Sequence, residues 1–354
     1  MINVAIAGRS APSPRQVSYL KRDHIYQGDC RSLLQQIEPK SVALSIWSPP
    51  YFVGKSYERD MTFDQWCELL RDAISAHEPI LCDGCFVAIN IADILCFPDT
   101  RIPRFQADVL SGKRSGISRE LVMKAQAANP EMNRYDLAKL LGTSEQTIHR
   151  RLSHNNVRGG KYATQTRVKT VAGLIEMYAE EAGLVVYDRR VWAKDPAWAN
   201  SRWHSLSYRA VDEFEYVFLL WKPGITTVDR NRLTPEEWRE WGSRAVWSFA
   251  SVRANDDHEA KFPIELPRRL IKLLSGPGDL VIDPFAGSGT TLVAAIENRR
   301  HYIGFELVPQ YAKLAREACM RATPQEDLEQ IELSFSKRVA ARPRRTGGNR
   351  EDKL

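Results

Sequence analysis

Two short stretches carry residue types at spacings that could do chemistry. The first is Ser48-Pro49-Pro50-Tyr51, which closes the apolar run 42–47. Two successive prolines end a strand and hold the chain in an extended, rigid loop. A hydroxyl and a carbonyl on such a loop can accept hydrogen bonds from one set direction, and the ring that follows can stack on a planar group. A plain strand terminator is the bland alternative for the prolines. The second stretch is Asp283-Pro284-Phe285-Ala286-Gly287-Ser288-Gly289-Thr290, directly after the apolar run 280–282. Gly287 and Gly289 allow a sharp turn and close approach of backbone to a ligand. Glu306, one helix later, offers a carboxylate to ribose hydroxyls. A lone glycine turn is as often a tight connection as a ligand cradle, but with Glu306 it makes the nucleotide-binding end of a Rossmann-like unit. The dinucleotide fingerprint is not met, because G-x-G-x-x-G is absent.

The elements that must position these groups alternate as in an α/β fold. Residues 280–282 and 42–47 read as buried strands, with 24–26, 84–93, 184–192, 215–221 and 301–305 as further strands. Helices are expected over 31–37, 63–81, 168–181 and 263–274, and from Thr290 through Ile296. Open sheets of this kind place their sites at the carboxyl ends of the strands. The expected architecture is a mostly parallel sheet with helices on both faces. Residues 222–258, with Trp238, Trp241 and Trp247, read as a long irregular stretch and a candidate substrate-contacting loop.

Length and composition bound the rest. The chain has 354 residues, enough for about two domains on a soft length prior. No apolar run approaches the ~20 residues that span a membrane, and no secretory signal is evident. Scattered cysteines fit reduced thiols, so a cytoplasmic location is expected. Cys82 and Cys85 form one C-x-x-C, but a structural zinc site needs two more ligands, so no metal site is expected. The charge is uneven: residues 101–170 hold 14 Lys/Arg against 5 Asp/Glu, whereas the whole chain nets +6. A basic segment of that density is built to meet a polyanion, with a solvated surface as the plainer reading.

Within that segment, residues 133–152 have the spacing of two helices joined by a turn at Gly142-Thr143, with Ser144 capping the second. Leu137, Ala138, Leu140 and Leu141 mark the first helix, and Ile148 and Leu152 face it. This resembles the helix-turn-helix of bacterial regulators. The second helix then exposes Glu145, Gln146, Thr147, His149, Arg150 and Arg151 toward bases and phosphates, with Lys161 as a further phosphate contact. A helical lid is the competing reading.

The motifs together resemble those of known enzymes. Phe285-Ala286-Gly287-Ser288-Gly289 with Glu306 is similar to the S-adenosyl-L-methionine site of class I methyltransferases. Ser48-Pro49-Pro50-Tyr51 is similar to the (D/N/S)-P-P-(Y/F) motif of DNA amino-methyltransferases, in the serine form typical of cytosine-N4 enzymes. The catalytic motif precedes the cofactor motif, and Phe262-Pro263 stands just before the latter. That order resembles the β-class, or circularly permuted, enzymes over about residues 22–95 and 168–320. The expected division is a catalytic half (1–96), a basic helical insertion that departs from the common family pattern and is a candidate DNA-recognition region (97–166), a cofactor half (167–322) and a basic tail whose composition reads as disordered (323–354).

It also implies roles. Asp283, Pro284, Phe285, Ala286, Gly287, Ser288, Gly289 and Thr290 form the cofactor turn; Glu306 takes the ribose; Asp29 lies near the adenine edge; Phe262 and Pro263 wall the site. Ser48 Oγ and the Pro49 carbonyl hold the hydrogens of an exocyclic amine so that its lone pair faces the methyl group. A duplex base must be flipped out to arrive there, at a cost of a few kcal/mol, and Tyr51 stacks on it for ~1–3 kcal/mol. C5-cytosine chemistry needs a Pro-Cys nucleophile that this chain lacks. The expectation is a site-specific DNA cytosine-N4 methyltransferase in restriction–modification or epigenetic marking, with a cognate restriction endonuclease and a second copy of the chain as candidate partners. Adenine-N6 methylation on the same scaffold, and a DNA-binding regulator with an inactive core, are the alternatives.

Overall fold

The computed structural model describes residues 18–52, 61–99, 101, 116–152, 166–196, 210–252 and 262–324. The chain divides into two compact units, one comprising Met1–Ile94, Thr170–Asp195 and Phe214–Leu354, the other Leu95–Lys169 and Pro196–Glu213. In chain order the elements begin with β1 (His24–Gln27), α1 (Cys30–Leu34), β2 (Val42–Trp47), α2 (Phe63–Ser75) and β3 (Leu81–Ile91). Then come β4 (Ile94–Pro98), α3 (Arg119–Ala128), α4 (Arg134–Leu140), α5 (Glu145–Leu152) and β5 (Thr166–Lys169). The sheet resumes with α6 (Ala172–Glu181), β6 (Val185–Ala193), β7 (Phe214–Trp221), α7 (Pro235–Glu237) and β8 (Val246–Ser248). It ends with α8 (Glu265–Leu274), β9 (Leu280–Asp283), α9 (Thr290–Glu297), β10 (His301–Glu306) and α10 (Pro309–Arg321).

The first unit is built on an eight-stranded sheet in the order β1-β10-β9-β2-β3-β7-β6-β8. β1, β10, β9, β2 and β3 are mutually parallel, and β7 runs antiparallel to both its neighbours. The carboxyl ends of the parallel strands and the amino end of β7 therefore share one edge. The strand order reverses between β9 and β2, which pair as Leu44↔Val281 and Ser45↔Ile282. From β9 the chain passes through α9 to β10 on one side; from β2 it passes through α2 to β3 on the other. Crevices at such switch points are where ligands bind in open α/β sheets.

β2 is buried on both faces, which is why it reads as a continuous apolar run rather than an alternating one. Leu44 and Ile46 join a core with Leu266, Leu270 and Ile271 of α8 and Ala294 and Ala295 of α9. Ser45 points the opposite way, toward fully buried His77 just past α2, whose Nε2 lies 2.8 Å from the hydroxyl. Burial pushes His77 down to about 4, and its other nitrogen donates to Ala73 O. The imidazole is thus a neutral core group. α2 starts in a capping box, Thr62 with Gln65, and lays Trp66, Leu70, Ala73 and Ile74 inward.

Several expected boundaries move. The helix expected over 63–81 stops at Ser75, and β3 already begins at Leu81. The helix expected from 168 begins at Ala172, because Thr166–Lys169 is a strand paired with β4. The stretch 222–258 is only partly irregular where it is described, with no helix or strand at 222–229 and 249–252. It holds α7, a single π turn at Trp238–Gly242 and edge strand β8, and it buries Trp241 and Trp247. Those two rings pack in the core beneath Arg269, whose guanidinium lies 5.4 and 5.6 Å from them. They are structural and do not face a substrate.

In the second unit, α3, α4 and α5 enclose a small core of Val122, Leu137, Ala138 and Ile148, with Leu141 and Leu152 at its margin. α3 was not legible in the sequence. Gly142 takes φ +61 in the turn between α4 and α5, a conformation that suits glycine. Ser144 Oγ accepts from Thr147 N at 3.3 Å and so caps α5.

Candidate active site

Ser48 follows β2 at the shared edge, and its hydroxyl sits in a compact polar cluster. Ser48 Oγ is 2.7 Å from the Tyr51 hydroxyl and 2.9 Å from the backbone carbonyl of Asn90 at the end of β3. Tyr51 donates to Glu215 Oε2 at 2.7 Å, and Asn90 Nδ2 donates both to that oxygen (2.7 Å) and to the Tyr51 hydroxyl (2.8 Å). Lys194 Nζ closes the cluster at 2.7 Å from Glu215 Oε1. Asn90 and Glu215 are both buried. Sequence reading found Ser48 and Tyr51 but missed Glu215 and Lys194. The available signal was one acid at the head of an otherwise apolar strand, and it becomes meaningful only because β7 runs antiparallel.

The loop itself is pinned from behind. Trp66 Nε1 donates to Pro50 O at 2.6 Å, so α2 fixes the second proline's carbonyl. Phe52 adopts φ +54, a left-handed conformation that costs a non-glycine residue about 1 kcal/mol or more. Its ring packs 5.7 Å from Phe63 and 6.3 Å from Trp66, contacts that hold the turn in place.

Across the switch point stands the glycine turn. Asp283 ends β9 wholly buried; its Oδ1 accepts from Phe285 N at 2.9 Å. Burial, with Glu306 adding to it, pushes the Asp283 carboxyl up to about 7. Glu306 ends β10 and accepts from Gly287 N and Val308 N, both at 2.8 Å, and burial raises it as well. Each carboxylate oxygen keeps a lone pair beyond those bonds. Phe285 lies 5.3 Å from Trp47 of β2, so the turn and β2 touch. Pro284 and Ala286 are buried and Ser288 and Thr290 half-buried in the turn.

Gly287 and Gly289 take φ +52 and +88. A Cβ on Gly289 would come within 3.1 Å of the Ala315 backbone, so this glycine also makes room for α10. It begins α9 without a side-chain cap, which leaves the first N–H groups of the helix to other partners.

Asp29 stands at the same edge after β1, where Gly28 N donates to Glu306 O at 3.0 Å. Its carboxylate caps α1 and is gripped by Arg31, which holds it below the usual range. Phe262 and Pro263 are half-buried ahead of α8, with Phe262 packed against the core. Leu307, next to Glu306, is 67% exposed, an apolar surface beside the carboxylate that sequence reading passed over. A buried acid, an acid with spare acceptors and an exposed apolar side chain fit a ligand that carries a cation, a diol and a planar base.

The side chains expected on α5 to read bases are placed in part. Arg134 donates to His149 Nδ1 at 2.7 Å, which leaves the His149 proton on Nε2, and Arg134 also pairs with Glu145. Thr147 is half-buried, its hydroxyl 3.0 Å from Ser144 Oγ. Arg151 Nε donates to Ile117 O at 2.9 Å, so that guanidinium holds the chain just ahead of α3. The side chains of Gln146 and Arg150, and the whole of Lys161, lie outside the described residues, as do 258–261, the terminal arm and the tail from 325.

A family described as DNA methylase matches residues 42–317, which take in both halves of the edge. The chain belongs to the DNA methylase family. It is 56% identical over 298 residues to the type II methyltransferase M.BglI of Bacillus subtilis, covering 84% of this chain and 86% of that one. Among solved structures, the PvuII DNA methyltransferase (cytosine-N4-specific) matches with a TM-score of 0.55 at 15% identity, covering 90% of this chain and 94% of that one. A Thermus thermophilus protein described as a DNA modification methylase, complexed with S-adenosyl-L-methionine, matches with a TM-score of 0.55 at 23% identity, over 85% and 94% of the two chains. Both likenesses are of fold: the mostly parallel sheet with helices on its faces is that of Rossmann-like methyltransferases. This DNA methylase is a DNA methyltransferase of the N6/N4 family that acts on duplex DNA. No helix among its described residues is long and apolar enough to cross a membrane.

Proposed function

We propose that the protein methylates the exocyclic N4 amino group of cytosine at a specific site in duplex DNA, as the modification half of a restriction–modification system. The observation that carries the base assignment is Ser48: the first position of the catalytic loop holds a neutral hydroxyl where the adenine-type motif has a carboxylate. The 56% identity to a type II methyltransferase supports the biological setting and a cognate endonuclease as partner.

The cofactor is S-adenosyl-L-methionine, which brings an electrophilic methyl group on a sulfonium. Asp283 supplies a buried negative charge for that cation, Glu306 accepts from the ribose diol, and Leu307 with Asp29 bounds the adenine. Gly287, Ser288, Gly289 and Thr290 shape the turn, while Phe262 and Pro263 wall it. The target cytosine is flipped out of the duplex. Ser48 Oγ and Pro49 O accept its amine hydrogens, which pulls the nitrogen lone pair out of conjugation, and the ring of Tyr51, fixed by its hydroxyl, stacks on the base. Residues of α5, Gln146, Thr147, His149 and Arg150 among them, read bases, and Arg151 and Lys161 meet phosphates.

Nucleoside mass spectrometry of DNA from a host expressing the chain tests the assignment. N4-methylcytosine is expected. N6-methyladenine alone would move the target to adenine and leave the fold and cofactor untouched.

A further inference from the structure

Glu215 lies 164 positions after Tyr51 in sequence, yet the antiparallel course of β7 brings its carboxylate to 2.7 Å from that hydroxyl. The carboxylate is buried and held by Lys194 on its other oxygen. An ionised carboxylate has no hydrogen to give, so every neutral neighbour must donate to it. That requirement propagates through the cluster. The single hydroxyl hydrogen of Tyr51 goes to Glu215, which leaves the phenol oxygen as an acceptor. Asn90 spends both Nδ2 hydrogens on Glu215 and Tyr51, so its amide cannot be turned around without placing Oδ1 against a carboxylate. The Asn90 Oδ1 is left buried and without a hydrogen-bond partner among the described residues. Ser48 has two neighbours in reach, the Tyr51 oxygen and the Asn90 carbonyl, and both accept. Its hydrogen is consumed inside the protein, and only lone pairs remain on Oγ.

We propose that Glu215, fixed by Lys194, is the positioning residue that sets the direction of every hydrogen bond in this cluster, so that the site offers only acceptors and selects a base with an amino group over one with a carbonyl oxygen at the reacting position. This rests on the reading that Ser48 meets the reacting nitrogen. An amine brings two hydrogens to such a site. A carbonyl oxygen brings none and leaves buried acceptors facing one another, which is the costly kind of mismatch. A glutamine at 215 has hydrogens to give, so Tyr51 and Ser48 are released to point theirs outward.

The test uses the full-length protein, on the site mapped by sequencing methylated host DNA. Cofactor-free binding is compared between duplexes that carry cytosine or uracil opposite guanine at the target. Wild type should favour cytosine by about tenfold or more, and Glu215→Gln should bring the two within about twofold. The single-turnover methylation rate should fall about a hundredfold while the S-adenosyl-L-methionine Kd stays near wild type; the Tm should drop, because Lys194 loses its buried counter-charge. Adding Glu215→Gln to Tyr51→Phe should cost little more than either change alone, because Glu215 acts through Tyr51. If Glu215→Gln does not fold, Tyr51→Phe alone should weaken the same base preference, because Ser48 then keeps one internal acceptor, the Asn90 carbonyl, instead of two. A folded Glu215→Gln protein that keeps its preference for the amine overturns the proposal, whatever its rate. Failure of wild type to methylate any amino group is a different result: it overturns the functional reading itself.

Discussion

Asp283→Asn should stabilise the cofactor-free protein at neutral pH while weakening its hold on the cofactor. Holding the Asp283 carboxyl at about 7 instead of its ordinary 3.8 disfavours its ionised form in the folded chain by about 4 kcal/mol, at about 1.4 kcal/mol per tenfold. Burial is the main cause, because the side chain ends β9 beneath the turn with one backbone N–H as an anchor. The direction with pH follows from proton counts. Between those two values the folded state keeps a proton that the unfolded state has released, so stability from this group is full at the acid end and is lost as pH rises through about 7. An asparagine has nothing to titrate. Its advantage over wild type should therefore grow from about pH 4 to about pH 7 and then level off, by an amount approaching about 4 kcal/mol. Urea unfolding of both proteins without cofactor, at a series of pH values, measures this. A bound cation beside Asp283 favours its ionised form, so wild-type affinity for S-adenosyl-L-methionine should rise over the same window, and the variant's should not. A stability difference that stays flat across the window would refute the reasoning, because the carboxyl would then be ionised in the empty protein at no cost.

Two further substitutions separate the functions of the two units. Gly289→Ala combines a left-handed φ with a 3.1 Å approach to the Ala315 backbone, and should cost about 2–4 kcal/mol in urea unfolding; a loss below about 1 kcal/mol would mean α10 yields easily. Ile148→Ala empties the centre of the three-helix core and should cost that unit about 2–5 kcal/mol. DNA affinity should fall in titrations while S-adenosyl-L-methionine affinity holds, and equal losses of both would contradict the assignment of DNA reading to α5.

The strands around the site were legible because they are buried on both faces. β2 and β9 are short and apolar but for Ser45 and Asp283, and a proline follows each within two residues, Pro49 and Pro284, where the strand cannot continue. The rest depends on contacts that local pattern does not carry. Glu215 and Lys194 reach Ser48 only through the strand order β3-β7-β6. β8 has three residues and is a strand only because β6 pairs with it. The tryptophans around it looked like a binding loop, since nothing in the sequence states that Arg269 and α8 cover them. α3 stayed hidden because its apolar face is narrow: of its ten residues only Val122 is buried. The helix expected from 168 ran into β5 because Val168 suits either period, and only its pairing with β4 decides.

The strand order has a consequence for the making of the protein. Among the described residues β1 pairs only with β10, which begins at His301, far along the chain. β2 can pair early with β3, but its other edge must wait for β9. On the ribosome, the half of the sheet that carries Ser48 and Glu215 can therefore form first, with an open edge and a loose leading strand. The pairing of β1 with β10 then closes a contact of large sequence separation, the kind that forms late in folding. A chain that stops short of Glu306 lacks a complete β10, and with it the partner of β1.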